Sequence, residues 1–193
     1  MKTFSIVSSL SWMAAAAAAS GPNTYNEIPD GYRLGNVTWV GNITANGPEV
    51  SFTGASFPEI EAQIRQDNSN FTWPEETTDM SLPDKIVDHL SCYLPQFYFA
   101  RKYYVDQGIE YLKGITGRCH IDAKVCSRIS CSYDSGIFFC NDNDKPLQVN
   151  CGRWPQYAQD IVNKCTTDDP SEHVKGQQFS DDNWNVIVGY SKC

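Results

Sequence analysis

Residues 125–142, VCSRISCSYDSGIFFCND, have the pattern of a β-hairpin. Ile129 and Cys131 alternate with polar residues in the first half, and an apolar run ending in Cys140 forms the second half. Asp134-Ser135-Gly136 predicts the turn, and a two-residue loop at Ser135-Gly136 would place Cys131 opposite Cys140 on one face of the hairpin. These two cysteines could then bridge each other, or each could reach a covering helix.

The hairpin lies in the cysteine-rich half of the chain. The chain has eight cysteines: Cys92, Cys119, Cys126, Cys131, Cys140, Cys151, Cys165 and Cys193. Because their number is even, we expect four disulfides, for which about 105 connectivities are possible. No C-x-x-C pair is present, which disfavours zinc, so we predict no metal ligands.

The first 20 residues are typical of a secretory signal peptide. Met1-Lys2 gives a positive start, residues 4–19 are mostly apolar, and Ala17-Ala18-Ala19 is a small-residue cleavage site. The apolar stretch is too short and too rich in alanine and serine for a convincing membrane span. We therefore expect a secreted, extracellular protein, in a compartment where disulfides form.

The net charge of the chain limits the classes of partner that we expect. It has 15 basic and 23 acidic residues, a formal net charge of −8. Loss of the signal peptide would remove Lys2 and leave 14 − 23 = −9. An acidic surface repels phosphate backbones and anionic lipids, and the sequence has no basic stripe. We therefore expect neither nucleic acid nor membrane as a partner.

Three N-glycosylation sequons begin at Asn36, Asn42 and Asn70. They predict exposed segments if the host cell glycosylates the protein. None of them falls in the cysteine-rich half of the chain.

The expected organisation has three parts. Residues 1–20 form the signal peptide, and residues 21–80 form an N-terminal hairpin-plus-helix lobe with a leader and a polar linker. Residues 81–193 form a cysteine-rich α+β core.

In the N-terminal lobe, Asn46-Gly47 predicts a hairpin turn between strands that contain Trp39 and Phe52. Ser56-Phe57-Pro58-Glu59 is a capping box with proline in the first turn, which predicts a short helix.

In the core, apolar spacing predicts one helix from Ser81 to near Cys92, a second over residues 104–115 and a third from Pro155 to Cys165. Gly108 inside the second helix indicates close packing, since glycine is otherwise costly there. Alternation over residues 184–190 predicts a C-terminal strand. The predicted fold is α+β, an antiparallel sheet with helices packed on one face and stapled by disulfides.

Several segments resemble one protein family: residues 126–133, 137–143, 176–179 and 183–188, with residues 36–64 similar to its N-terminal half. The family comprises small secreted cysteine-rich proteins of filamentous ascomycete fungi, which are treated as candidate effectors. More distantly, the order of elements is similar to killer toxins of the α/β-sandwich type and to necrosis-inducing effectors on related folds. The resemblance implies an effector function without established chemistry.

We predict no catalytic residue and no cofactor. The three histidines, His89, His120 and His173, lack a metal-binding spacing. We expect His89 on the polar side of its helix and His120 in a loop. Glu110, His120 and Arg128 could converge as in a ribonuclease, but the acidic net charge disfavours RNA.

Asp142-Asn143-Asp144 begins like a calcium loop. Pro146 and Leu147 then stand where an EF-hand needs oxygen ligands and glycine. We expect instead a hairpin exit stabilised by turns that Asn and Asp side chains make with the backbone.

The chain is rich in aromatic residues, notably Trp39, Trp73, Trp154, Trp184, Tyr98, Tyr103, Tyr104 and Tyr111. Their helical and strand spacing favours core packing. An exposed aromatic row would instead favour binding of cell-wall polysaccharide.

The sequence thus favours a monomeric, non-enzymatic, secreted fungal effector that binds an extracellular host protein or cell-wall component and so modulates host defence. Two alternatives stay open. One is a killer-toxin-like antimicrobial protein, and the other is a small secreted hydrolase or cell-wall polysaccharide binder.

Overall fold

The computed structural model describes residues 27–44, 47–73 and 89–193. The predicted signal peptide lies outside these residues, as do Asn46 of the predicted turn and residues 81–88 of the helix predicted from Ser81. The described residues form three α-helices: α1 (Phe57–Asp67), α2 (Lys102–Lys113) and α3 (Trp154–Cys165). A 3-10 turn, Cys151–Arg153, leads into α3.

The described residues also form twelve strands: β1 (Arg33–Leu34), β2 (Val37–Asn42), β3 (Glu49–Gly54), β4 (Leu90–Ser91), β5 (Ala100–Arg101), β6 (Arg118–Ile121), β7 (Val125–Ser132), β8 (Ser135–Asn141), β9 (Leu147–Asn150), β10 (His173–Val174), β11 (Gly176–Ser180) and β12 (Trp184–Tyr190). The largest sheet has the order β1-β7-β8-β12-β11-β4, in which only β1 and β7 run parallel. A second, antiparallel sheet has the order β3-β2-β6-β9, and β5 pairs with β10. The predicted α+β class with antiparallel sheets is confirmed.

Each predicted helix among the described residues has the expected local cause. At α1, the Ser56 hydroxyl accepts a hydrogen bond from the Glu59 amide at 3.4 Å, and the Glu59 carboxylate accepts one from the Ala55 amide at 2.7 Å. In α3, Pro155 lies in the first turn, where its missing N–H costs nothing, and the predicted apolar stripe is buried. The predicted helix over residues 104–115 is α2.

The large sheet is covered on both faces. Helices α2 and α3 pack on one face, where Ile137 and Phe139 of β8 belong to the main core. The intervening residues Phe138 and Cys140 point to the other face, because side chains alternate along a strand. That face is covered by residues 27–36, which we call the N-terminal strap, and by the loop that contains Phe97.

The N-terminal hairpin joins the cysteine-rich half directly. Strand β2 pairs with β3 on one side and with β6 on the other. Trp39 of β2 is 1% exposed and belongs to the same core as Trp154 of α3. Strands on the two sides of residue 80 therefore share a sheet and a core.

The eight cysteines form four disulfides, the predicted number: Cys92–Cys165, Cys119–Cys151, Cys126–Cys140 and Cys131–Cys193. Their Cα atoms lie 4.0–5.6 Å apart. Cys126–Cys140 joins β7 to β8 across the hairpin, and Cys131–Cys193 holds the C-terminus to the end of β7. Cys92 follows β4 and Cys193 follows β12, so their two bridges each tie an element to one of these flanking segments.

The predicted hairpin over residues 125–142 is confirmed, but its predicted turn is wrong. Ser132 pairs with Ser135, so the two turn residues are Tyr133 and Asp134, with φ of 45° and 59°. Cys131 therefore faces Gly136, and Cys140 faces Cys126. A register shift between Arg128 and Ser130 bends the strand.

Two further local predictions are wrong. Leu90–Ser91 form strand β4, which pairs with the outer edge of β11, so no helix continues to Cys92 and His89 is not helical. His120 lies in strand β6 rather than in a loop, because both neighbours of β6 supply backbone hydrogen bonds.

Glycine is needed at Gly117 for two reasons. Its φ is +95°, and a Cβ atom there would lie 2.8 Å from Trp39 Nε1 and 2.8 Å from the Val40 carbonyl oxygen. Gly31 has a similar φ of +92°, but open space surrounds its Cβ position. A comparison of substitutions at the two glycines therefore distinguishes the cost of backbone strain from the cost of steric contact.

We predict that Gly117→Ala lowers the free energy of unfolding by about 3 kcal/mol, since overpacking adds to the left-handed backbone penalty. Gly31→Ala should cost only the backbone part, about 1–2 kcal/mol. Denaturant unfolding of both variants checks this. Equal losses in the two variants would contradict the proposed contact with Trp39 and Val40.

Candidate functional site

The aromatic residues separate into a buried set and a surface set. Trp39, Trp154 and Trp184 are buried in the core, as their spacing predicts. Tyr111 is half-buried and its hydroxyl donates a hydrogen bond to Glu61 at 3.1 Å. The prediction of core packing therefore holds for these tryptophans, whereas the exposed aromatic side chains are mainly tyrosines.

Five tyrosines line the end of the large sheet at the β7–β8 turn: Tyr98, Tyr103, Tyr104, Tyr133 and Tyr190. Together with Arg101 we call them the tyrosine surface. Tyr98, Tyr103 and Tyr133 are 58%, 66% and 71% exposed. Exposed aromatic side chains in contact with one another are typical of binding surfaces, because a tyrosine ring is apolar and its hydroxyl is polar.

The rings of the tyrosine surface form two contacting groups, one of which is the edge-on pair of Tyr98 and Tyr190 with centroids 6.4 Å apart. Tyr104 and Tyr133 stack with centroids 4.4 Å apart and planes inclined by 18°. Tyr103 meets Tyr104 edge-on at 5.2 Å, and the Arg101 guanidinium lies 5.9 Å from the Tyr104 centroid. This arrangement leaves the outer face of Tyr133 available for a partner.

Backbone hydrogen bonds fix the segments that carry these rings. The Tyr190 amide donates to the Tyr98 carbonyl at 3.0 Å, and the Ser191 amide donates to the Asp134 carbonyl at 3.2 Å. The Arg101 amide donates to the Ser135 hydroxyl at 3.1 Å. The disulfide from Cys131 to the C-terminal residue closes the same region. The tyrosine surface is therefore built on fixed segments.

A second polar constellation surrounds Asp142. Asp142 Oδ1 accepts hydrogen bonds from the Tyr32 hydroxyl at 2.7 Å and from Asn185 Nδ2 at 2.6 Å. Gln177 Nε2 donates to Asn185 Oδ1 at 3.1 Å. The network joins the N-terminal strap to β11 and β12, so it holds the strap on the sheet.

Burial raises the pKa of Asp142, while the hydrogen bonds from Tyr32 and Asn185 act in the opposite direction. Burial, together with the neighbouring Asp142 carboxylate, raises the pKa of Tyr32. Asp142 also lines an open cleft of about 490 Å³, with His89 and Asp181. The Asp142 carboxylate is thus partly desolvated and hydrogen-bonded to the N-terminal strap. Its role is structural, because both hydrogen bonds to Oδ1 hold protein segments together.

The turn predicted at the hairpin exit is present. Asn141 Oδ1 accepts a hydrogen bond from the Asn143 amide at 2.9 Å, the pattern of an Asx turn. Asn141 Nδ2 donates to the Lys145 carbonyl at 2.9 Å. Among the described residues, no group of three or more His, Cys, Asp or Glu side chains could hold a metal ion.

The structure does not bring together the ribonuclease-like trio. Glu110 lies on α2 and pairs with Lys113. Arg128 lies on β7, where it donates to the Lys192 carbonyl at 2.7 Å. His120 lies on β6, in the other sheet, where it lines a groove with Asp122.

The sequon asparagines Asn36, Asn42 and Asn70 are all exposed. Asn36 lines the same groove as His120, which has a volume of about 420 Å³. Sequence reasoning missed this groove, since it is built from the strap, the four-stranded sheet and the start of β7.

The chain gives no significant match to any protein-family profile, curated protein or solved structure. The resemblance to fungal effectors therefore stays a prediction from the sequence. Within the described residues, no helix has the length and apolarity that crossing a membrane requires.

We predict that Asp142→Asn keeps the strap contacts, because the amide oxygen can still accept hydrogen bonds. Asp142→Ala should lower the free energy of unfolding by about 2–4 kcal/mol, since it leaves the donors of Tyr32 and Asn185 without their acceptor.

The pH dependence of Asp142→Asn has a definite sign. A raised pKa means that the folded state holds the proton more tightly than the unfolded chain does. The wild type therefore loses stability relative to Asp142→Asn as pH rises above the ordinary value of 3.8. Denaturant unfolding of both proteins between pH 3 and pH 7 measures this, and a wild type that gains stability relative to Asp142→Asn as pH rises would contradict it.

Proposed function

We propose that the protein is a secreted effector-type binding protein of fungal origin. It acts outside the cell without catalysis, by contacting an extracellular host protein or cell-wall component. The observation that carries this proposal is the tyrosine surface, in which three exposed and two half-buried rings form two contacting groups on a disulfide-bonded scaffold. The signal-like N-terminus and the sequence resemblance supply the extracellular and effector parts of the proposal.

The composition of the tyrosine surface suits a binding role. Tyrosine and arginine are enriched among the residues that dominate binding energy at protein interfaces. A tyrosine ring offers a large contact area at a low cost in conformational entropy, because it has only two side-chain torsions. Tyr133 and Tyr103 are the most exposed members of the set and offer the largest contact area.

The rigidity of the scaffold supports the same role. Binding costs less when the contacting groups are already ordered. Tyr133 has no freedom to swing out at the backbone, since it occupies a tight two-residue turn and stacks on Tyr104. The ordering cost is thus met during folding and disulfide formation.

Charged groups of both signs lie at this end of the molecule. The chain as a whole is acidic, with a net charge of −8. At the tyrosine surface, Arg101 is exposed and forms no ion pair among the described residues. A partner that approaches the rings therefore meets the Arg101 cation and, in the same turn as Tyr133, the exposed carboxylate of Asp134.

A second candidate function is binding of cell-wall polysaccharide through the same rings. The stacked pair of Tyr104 and Tyr133 favours it, because the free face of a tyrosine can pack against the apolar face of a sugar ring. The killer-toxin-like and hydrolase alternatives have no comparable support in the described residues.

We predict that the double variant Tyr103→Gln/Tyr133→Asn loses the activity of the folded protein. Glutamine keeps the helix, and asparagine tolerates the left-handed backbone of the turn, so both rings are removed without loss of fold. Purified oxidised protein is infiltrated into plant tissue, and cell death and the oxidative burst are scored. If each ring contributes about 1 kcal/mol or more to binding, the dose required should rise by about 30-fold or more.

Tyr93→Gln is the matched control. Tyr93 is 81% exposed but makes no ring contact with the described residues, so this variant should respond like the wild type. Reduced and alkylated wild type should be inactive. A full response from the double variant would overturn the role of the tyrosine surface, and retention of the proteins on insoluble wall polysaccharide distinguishes the second candidate function.

A further inference from the structure

The first sequon lies on the outer face of the four-stranded sheet. Asn36 precedes β2 and Thr38 lies within it, and residues two apart in an extended chain point to the same side. Val37 between them points inward and is fully buried. The glycan acceptor and its sequon hydroxyl therefore face outward together.

Polar residues continue from this sequon across the sheet. Thr38 pairs with Thr53 of β3 on one side and with His120 of β6 on the other. The hydroxyl oxygens of Thr38 and Thr53 are 2.7 Å apart and hydrogen-bonded. Since directly paired residues lie on one face of a sheet, the two hydroxyls and the imidazole form a polar row beside Asn36.

This row forms part of the groove of about 420 Å³. On the strap side the groove is lined by Arg33 and Asp122, whose charged groups are 3.6 Å apart. Its volume lies within the range of small-ligand sites, about 300–1,000 Å³. Its lining offers hydroxyl, imidazole, carboxylate and guanidinium groups, which can pair with the hydroxyl and acetamido groups of a sugar.

We propose that the groove is the seat of the glycan carried by Asn36, with the first N-acetylglucosamine lying against Thr38 and His120. The proposal rests on the secretory part of the proposed function, because the sugar is added on that route. Asn36 itself lines the groove, so a sugar bonded to its Nδ2 begins inside it. The covalent link gives this sugar a high effective concentration, so weak polar contacts suffice to hold it.

The other two sequons do not line this groove. Asn42 lies at the end of β2, where its Nδ2 donates to the Gly47 carbonyl at 2.5 Å. Asn70 lies in the loop after α1. Neither of them lines the groove, so both serve as internal controls.

The test compares wild type, Asn36→Gln and Asn42→Gln secreted from a yeast host, with site occupancy measured by mass spectrometry. Diethyl pyrocarbonate then modifies accessible histidines, and peptide mapping gives the rate at each one. We expect modification of His120 to be several-fold slower in the wild type and in Asn42→Gln than in Asn36→Gln. The rate at His173, which lies on β10, should be the same in all three.

A second measurement avoids substitution altogether. Endoglycosidase treatment of the folded wild type trims each glycan to one N-acetylglucosamine, and His120 should stay shielded. Complete enzymatic removal of the glycans, which converts the glycosylated asparagines to aspartate, should raise the rate at His120 to that of Asn36→Gln.

Different results overturn different parts. Glycans at Asn42 or Asn70 but not at Asn36, or equal His120 rates with and without the Asn36 glycan, would overturn the groove proposal alone. The absence of glycan at all three sites would likewise overturn the groove proposal alone, because a secreted chain can leave its sequons unused. Failure of the protein to reach the medium would overturn the secretory route as well. The response to the tyrosine variants tests the proposed binding function separately.

Discussion

Strand β8 is hydrogen-bonded on both edges and buried on both faces, and this places the rest of the chain around it. All seven of its residues are buried. Ile137 and Phe139 need cover on one face, which α2 and α3 provide. Phe138 and Cys140 need cover on the other, which brings the N-terminal strap back across the sheet. Burying a phenylalanine side chain contributes about 1.5–3 kcal/mol, and Phe139 needs one layer while Phe138 needs the other. Neither layer can therefore be omitted without a large loss of stability.

The strap solves this covering problem with polar as well as apolar contacts. Ile28 and Tyr32 pack against the cluster around Phe138. The Tyr32 hydroxyl then reaches Asp142 at the end of the same strand. A partly desolvated carboxylate opposes folding, and its two hydrogen bonds offset part of that cost. The hydrogen bond between Tyr32 and Asp142 therefore helps to fix the position of the strap, because a strap shifted along the sheet would not form it.

The sequence predicts elements with strong local signals and misses those defined by their neighbours. The capping box at Ser56, the stripe of α3 and the alternation of β12 are local, and all three elements form. Strands β6, β9 and β11 have polar sequences, RCHI, LQVN and GQQFS, without clear apolar alternation. In β11, Gln177 and Gln178 are buried because Asn185 and Asp160 supply hydrogen bonds. No single segment contains that information.

The position of the hairpin turn and the grouping of the tyrosines cannot be predicted from the local sequence, and the reason is the same for both. Glycine at position 136 indicates a turn there, but the chain turns at Tyr133 and Asp134. The left-handed region tolerates aspartate and is unfavourable for tyrosine. The stack on Tyr104 and the bond from the Ser191 amide compensate for that strain. These contacts come from α2 and from the residue after β12, so they exist only once the fold has formed. Tyr133 and Tyr190 are distant in sequence from the other three rings and meet them for the same reason.

Strand β7 sets the separation between the two surfaces. Val125, its first residue, lines the groove beside Asn36, and its last residue precedes Tyr133 of the tyrosine surface. Eight residues of strand span about 25 Å at about 3.3 Å each. A hydrated sugar seated at the first end therefore leaves the rings at the second end clear. Binding through tyrosines requires a surface that can be desolvated by the partner. A glycan, in contrast, keeps the surface around it hydrated. The hairpin that organises the core thus also keeps these two opposed requirements apart.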